Sequence, residues 1–249
     1  MIAATLERLM RDLRYESPEV TDLDVLAIAA HPSQVEQTCG GVLLKMAEQG
    51  YRTGILDLTP GDMGTTVINA EQRLEESLHA ASVLRAEWRG NCRFPDARID
   101  NTIAARMTVS TILRTLRPKT IILPYWQARH PDHYRTSEIG YEAAFLAGLK
   151  KLDEDTPAKW PHKIIYSCPF RDTSPNFVVD ISKQFEHRLE ALFCYHSVYD
   201  AEAQRTTREL LQAKARFYGD LIGVKYGEPF AIKETMAVAD IVQIGSPTF

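Results

Sequence analysis

Apolar residues fall along this chain in two rhythms. Positions 24–30 hold Val25, Leu26, Ala27, Ile28, Ala29 and Ala30 in a run without polar alternation, which predicts a strand buried on both faces of a parallel sheet. Ile55, Leu56 and Leu58 mark a second strand over 51–59, and Ile121, Ile122 and Leu123 a third over 120–124. Between them the spacing turns helical. Val42, Leu43, Met46 and Ala47 predict a helix over 35–49, stopped by Gly50. Leu74, Leu78 and Ala81 predict one over 70–84, and 102–116 forms another, closed at Arg117 and Pro118. Downstream, the pattern predicts a helix over 134–149, strands over 163–168 and 177–181, and helices over 182–196 and 201–219. Residues 1–20 read as a helix and an extended lead-in broken at Pro18, and 230–249 as a mixed, partly extended tail.

Strands alternating with helices predict right-handed crossovers and a mostly parallel sheet with helices on both faces. The chain therefore reads as α/β, a single Rossmann-like domain over 23–249 preceded by a helix and lead-in over 1–22. In such sheets ligands bind beyond the carboxyl ends of the strands. The first strand-to-helix turn carries Ala30, His31 and Pro32 rather than G-x-G-x-x-G, which disfavours a nicotinamide site.

Composition narrows the function classes. The net charge of −4 provides no basic surplus to neutralise phosphates, so no nucleic-acid partner is expected. No run approaches the roughly 20 apolar residues that span a bilayer, and Met1 to Arg14 is too charged for a signal peptide. No membrane partner and a cytoplasmic location are expected. Cys39, Cys92, Cys168 and Cys194 are scattered, with no metal or disulfide spacing.

Candidate chemistry sits at two strand ends. The first strand runs into His31 and Pro32; the third runs through Pro124, Tyr125 and Trp126 into His130, Pro131, Asp132 and His133. An isolated HxxH is more often a pair of loop histidines. Here Pro131 is suited to open a helix, which places His133 in its first turn, and neighbouring parallel strands bring His31 to the same cleft. Neutral imidazole is the commonest protein ligand of zinc, and an adjacent carboxylate can fix its tautomer. Tyr125 and Trp126 fall at the cleft rim, equally suited to stacking on a substrate and to aromatic packing. His79, His162, His187 and His196 have no partner pattern.

These residues belong to a longer set of motifs. Ala30-His31-Pro32-Ser33-Gln34-Val35-Glu36 with Gly40-Gly41 resembles the AHPDDxE…GG motif of the LmbE/PIG-L N-deacetylases. Asp57 to Thr65 resembles their D-L-T-x-G-E-M-G-T loop, Pro95-Asp96 their P-D element, and His130 to His133 is their HPDH unchanged. Gly223 to Phe230 resembles a GVKYGEPF stretch of the bacillithiol-pathway branch, which deacetylates N-acetylglucosaminyl-malate. The resemblance implies a zinc-dependent hydrolase acting on a small amino-sugar conjugate, with self-association into a homo-oligomer. By position it implies His31 and His133 as metal ligands, His130 as general acid or oxyanion partner, Asp132 as the residue tuning the histidines, and Gly64, Thr65 and Thr66 as substrate contacts.

Two positions depart from the motif. Ser33 stands where the resemblance expects the general-base aspartate, and its hydroxyl cannot take a proton from bound water near neutral pH. Gln34 stands where an aspartate ligand is expected, and its neutral amide oxygen is a poor zinc donor. Thr66 stands where relatives commonly carry arginine. The site thus lacks two negative charges, and Zn²⁺ is expected to bind weakly or not at all. Glu36, Asp62 and Asp132 are the carboxylates that could compensate, although Glu36 also suits a helix N-terminus and Asp62 a turn. Two readings follow: a hydrolase removing an N-acetyl group, or a non-catalytic relative that binds a sugar.

Overall fold

A computed structural model describes residues 22–64, 69–152, 157–168, 173–240 and 245. The helix expected within 1–20 and the candidates Thr65 and Thr66 lie outside them.

Seven strands form one sheet in the order β3-β2-β1-β4-β5-β7-β6. They are β1 (Val25–Ala29), β2 (Thr53–Asp57), β3 (Trp88–Asn91), β4 (Thr120–Pro124), β5 (Lys163–Ser167), β6 (Phe177–Asp180) and β7 (Gly227–Ala231). The first five lie parallel, with Ala29 opposite Asp57 and Val25 opposite Thr120. β7 runs antiparallel between β5 and β6, and β6 forms that edge. Successive side chains of β1 point to opposite faces. Leu26, Ile28 and Ala30 enter one core with α4 (Ile103–Leu116) and α5 (Pro131–Ala147). Val25, Ala27 and Ala29 enter the other, with α2 (Gly40–Glu48), α3 (Ala70–Val83) and α6 (Phe185–Leu192). Helices therefore cover both faces, and β1 has no exposed residue to alternate.

Three elements differ from expectation for local reasons. The helix expected over 35–49 is broken at Cys39 (φ −149°) into α1 (Gln34–Thr38) and α2. The break frees the first N–H groups of α2, and the buried Glu228 accepts from Gly41 and Val42 at 2.9 and 2.7 Å. Strand β3 was not expected, because its sequence of Trp88, Arg89, Gly90 and Asn91 has no apolar run. Arg89 is buried only because Asp57 and Glu36 neutralise it. β7, carrying Gly227 and Pro229, was read only as part of a motif and a tail.

The helix expected from Tyr134 starts at Pro131, with His130 as its N-cap. Gly140 lets this helix lie close on β4, since a Cβ there would come within 2.3 Å of Leu123. That approach sets the first turn of α5 over the end of β4. The sheet order leaves β1 and β4 side by side while their crossovers depart to opposite sides. This is the switch point at which open α/β sheets form their crevice. α7 (Ala201–Asp220), capped by Asp200, supplies the crevice's outer wall through Lys214, Ala215 and Tyr218.

Candidate active site

The crevice is a cleft of about 350 Å³ lined by His31, Ser33, Gln34, Asp96, His130 and His133 among others. His31 follows β1 directly. Its ring lies 5.0 Å from that of His130 and 5.5 Å from that of His133, centroid to centroid. His130 and His133 stack at 4.5 Å, as two residues flanking the first turn of one helix can. The His130 Nδ1 accepts the Asp132 backbone N–H at 3.2 Å, which caps α5 and leaves Nε2 to carry the proton.

Two carboxylates hold the His31 ring. Its Nε2 donates to Asp96 Oδ1 at 2.9 Å and to Asp132 Oδ2 at 3.1 Å. Asp132 is buried, and also accepts from Ala97 N at 2.9 Å. Asp96 accepts from Met63 N at 2.7 Å and Ala97 N at 2.8 Å, which folds the 59–64 loop over the cleft. Burial lowers the His31 pKa, but Asp96 and Asp132 outweigh it and the net shift is upward. Burial works against the Asp96 charge, yet the His31, Met63 and Ala97 donors depress its pKa below the usual carboxylate range. Burial first, then His31 and His130, push His133 down to about 3, so it is a neutral imidazole at physiological pH. Burial and His31 lower His130 as well.

The two departing residues are occupied elsewhere. Ser33 is buried in the left-handed region (φ 80°), unusual for serine and costly in backbone strain. The Gln37 amide donates to its hydroxyl at 3.5 Å and to the Tyr199 hydroxyl at 2.9 Å. Gln34 lines the cleft, but its Oε1 accepts the Ala30 backbone N–H at 2.8 Å.

Neither Glu36 nor Asp62 compensates. Glu36 is fully buried behind the cleft wall, where Arg89 donates to it at 2.6 Å and Tyr195 at 3.0 Å. Asp62 is exposed on its loop and is absent from the lining, which includes its neighbours Gly61, Met63 and Gly64. Two other carboxylates line the cleft: Glu228, which accepts from the Gly41 and Val42 N–H groups, and Asp96, to which sequence reasoning gave no role. Its place in a P-D pair after a strand was the available signal. Tyr125 lines the cleft, whereas Trp126 does not: it stacks on Tyr125 and meets the Tyr166 ring edge-on. The aromatic-packing reading is the one realised there.

The donors suit a divalent cation. His31, His130 and Asp132 bring one ligand atom each within 4.8 Å of one another, and two imidazoles with a carboxylate form a set used by catalytic zinc sites. Among the described residues no helix is long and apolar enough to cross a membrane.

Comparison with known proteins places the chain in a family. The family model described as "PIG-L: GlcNAc-PI de-N-acetylase" matches residues 26–144. The diacetylchitobiose deacetylase of Thermococcus kodakarensis is 30% identical over 237 residues, 91% of this chain and 88% of that protein. The conserved protein TT1542 of Thermus thermophilus superposes with a TM-score of 0.81 at 33% identity, covering 87% of this chain and 97% of that one. The N,N'-diacetylchitobiose deacetylase of Pyrococcus horikoshii does so at 0.77 and 25% identity, covering 94% and 92%. The chain belongs to the PIG-L family of deacetylases, which are amide hydrolases.

Proposed function

We propose that this protein removes the acetyl group from an N-acetylated amino sugar, with N-acetylglucosaminyl-malate as the specific candidate and a divalent ion, zinc foremost, in the cleft. The observation that carries the reading is the convergence of His31, His130, His133 and Asp132 at the ends of β1 and β4. The malate conjugate is favoured by the stretch Gly223 to Phe230 and its likeness to the bacillithiol-pathway branch.

His31 belongs to every ligand set. Motif position adds His133, whereas proximity adds His130 and Asp132. When bound, the ion would polarise the amide carbonyl and lower the pKa of water. The remaining work falls to the chain. Asp132 and Asp96 fix the His31 ring, as carboxylates behind metal-binding histidines do. Where His133 rather than His130 holds the ion, His130, with its proton on Nε2, can donate to the developing oxyanion or to the leaving amine. Ser33 supplies no carboxylate for proton abstraction, so turnover is expected to be slow, since a general base contributes roughly 10²–10⁴ in rate.

A second reading has its own observation. Gln34 spends its amide oxygen on Ala30, and Ser33 belongs to a hydrogen-bond network with Gln37 and Tyr199. Such a cleft would bind the sugar without cleaving it. The deciding assay is amine release from N-acetylglucosaminyl-malate and from diacetylchitobiose, with and without added Zn²⁺. Multiple turnovers that vanish in His31→Ala support the hydrolase. Calorimetric binding without amine release under every metal condition replaces it with the binding reading.

A further inference from the structure

Outside the cleft, three rings gather around one lysine. Lys233 follows β7, and its Nζ lies 4.7 Å from the ring centroid of Trp126, 4.8 Å from that of Tyr166 and 5.4 Å from that of Tyr141. A ring face attracts a cation within about 6 Å. The rings come from three elements: the loop after β4, strand β5 and helix α5. Tyr166 is fully buried, and its hydroxyl has no hydrogen-bond partner among the described residues. What that side chain offers Lys233 is its ring face. Among the described residues no carboxylate pairs with Lys233, because the adjacent Glu234 pairs with Lys163 at 3.3 Å. Removal from water lowers the Lys233 pKa, with Glu234 acting in the opposite sense. The three ring faces add further compensation for an ammonium held there.

We propose that Lys233 is a positioning residue for the wall of the cleft. Trp126 stacks on Tyr125 at 4.1 Å, and Tyr125 lines the cleft. Trp126 also meets Tyr166 edge-on at 4.8 Å, so the ammonium and these rings form one packed unit. Tyr125 and Trp126 open the segment that leads to His130 at the N-cap of α5. Lys233 and Glu234 thus fasten the chain after β7 to β4, β5 and α5, and the clamp fixes where the Tyr125 ring stands. The inference rests on the cleft being the amino-sugar site and deepens that reading. Lys233 touches no substrate; it sets affinity through Trp126 and Tyr125.

The test compares the full chain with Lys233→Met, which removes the charge and keeps a long stem, and with Lys233→Arg, which restores a cation. Lys233 is exposed, so neither change disturbs the core. Fluorotryptophan and fluorotyrosine labels report on Trp126 and Tyr125 by fluorine NMR, assigned with Trp126→Phe and Tyr125→Phe. Both signals should move in Lys233→Met and return in Lys233→Arg, while that of Trp88, on β3 across the sheet, stays in place. KM for N-acetylglucosaminyl-malate, or the calorimetric Kd where it binds uncleaved, should rise about fivefold in Lys233→Met, the size of a partly desolvated ammonium–ring contact. Any kcat should stay within about twofold, and the arginine variant should recover the affinity. A Tyr125 signal unmoved in Lys233→Met overturns the proposal. So does a kcat loss as large as the change in KM, or an arginine variant no better than the methionine one. If the wild-type chain neither binds nor cleaves the conjugate, the proposed function fails, and the Tyr125 signal decides the clamp by itself.

Discussion

At residue scale the site turns on two neutral side chains at the mouth of α1. Ser33 holds a left-handed backbone, a conformation that aspartate tolerates better than serine does. The nearby Gln37 amide would donate to a carboxylate at position 33 as it now does to the hydroxyl. Ser33→Asp is therefore expected to fold normally. Combined with Gln34→Asp it returns two negative charges to the cleft. The double variant should hold close to one metal ion per chain by elemental analysis and raise amine release by roughly 10²–10⁴-fold. Unchanged metal content and rate would mean that the cleft has diverged beyond these positions. The histidines themselves were legible because HxxH after a buried strand is a local pattern. The burial of Glu36 was not, because what neutralises it is Arg89, a residue distant in sequence on a strand with no apolar signature. That pairing has a measurable consequence. Arg89→Met would leave Asp57 and Glu36 as uncompensated buried charges, and about 3–5 kcal/mol of stability should be lost in urea unfolding. A loss below about 1 kcal/mol would show that the cluster is not charged as drawn.

At the scale of elements, motifs at opposite ends of the chain meet in one helix cap. Glu228 of β7 accepts from the first N–H groups of α2 and faces Arg188 of α6 at 3.2 Å. This explains the glycine pair better than helix propensity does. A Cβ on Gly41 would lie 2.9 Å from both Glu228 Oε1 and Ile181 Cδ1, whereas one on Gly40 meets only ordinary contacts. Gly41→Ala should cost about 1–3 kcal/mol, as overpacking does, and Gly40→Ala less. Equal losses in the two variants would refute the close-approach argument. Strands β1, β2 and β4 could be read directly from uninterrupted apolar runs. β3 and β7 could not, since each depends on buried charge or on a partner that completes its pairing. The break at Cys39 was invisible for the same reason: the carboxylate that stabilises the new N-terminus comes from the other end of the chain.

At the scale of the whole molecule, the cleft is a junction of loops that the sheet order brings together. His31 follows β1, Asp96 follows β3, and Asp132 and His130 open α5. The carboxylate contacts across these loops tie the junction at one point, the His31 ring. A cation bound there would bridge segments far apart in sequence and stabilise only the folded arrangement. At a free metal concentration about 100 times its Kd, the gain is about 2.7 kcal/mol, a rise in melting temperature of roughly 5–10 °C for a chain of this size. Calorimetric melts with Zn²⁺ and with chelator measure it, and His130→Ala and His133→Ala separate the two ligand sets. If proximity describes the site, His130→Ala abolishes the metal-induced rise and His133→Ala preserves most of it. If the motif roles hold, the reverse is seen, because His133, neutral at physiological pH, then supplies the second imidazole. A melt insensitive to metal in the wild-type chain would remove the ion from the proposed mechanism. The imidazole cluster would then act through hydrogen bonds alone.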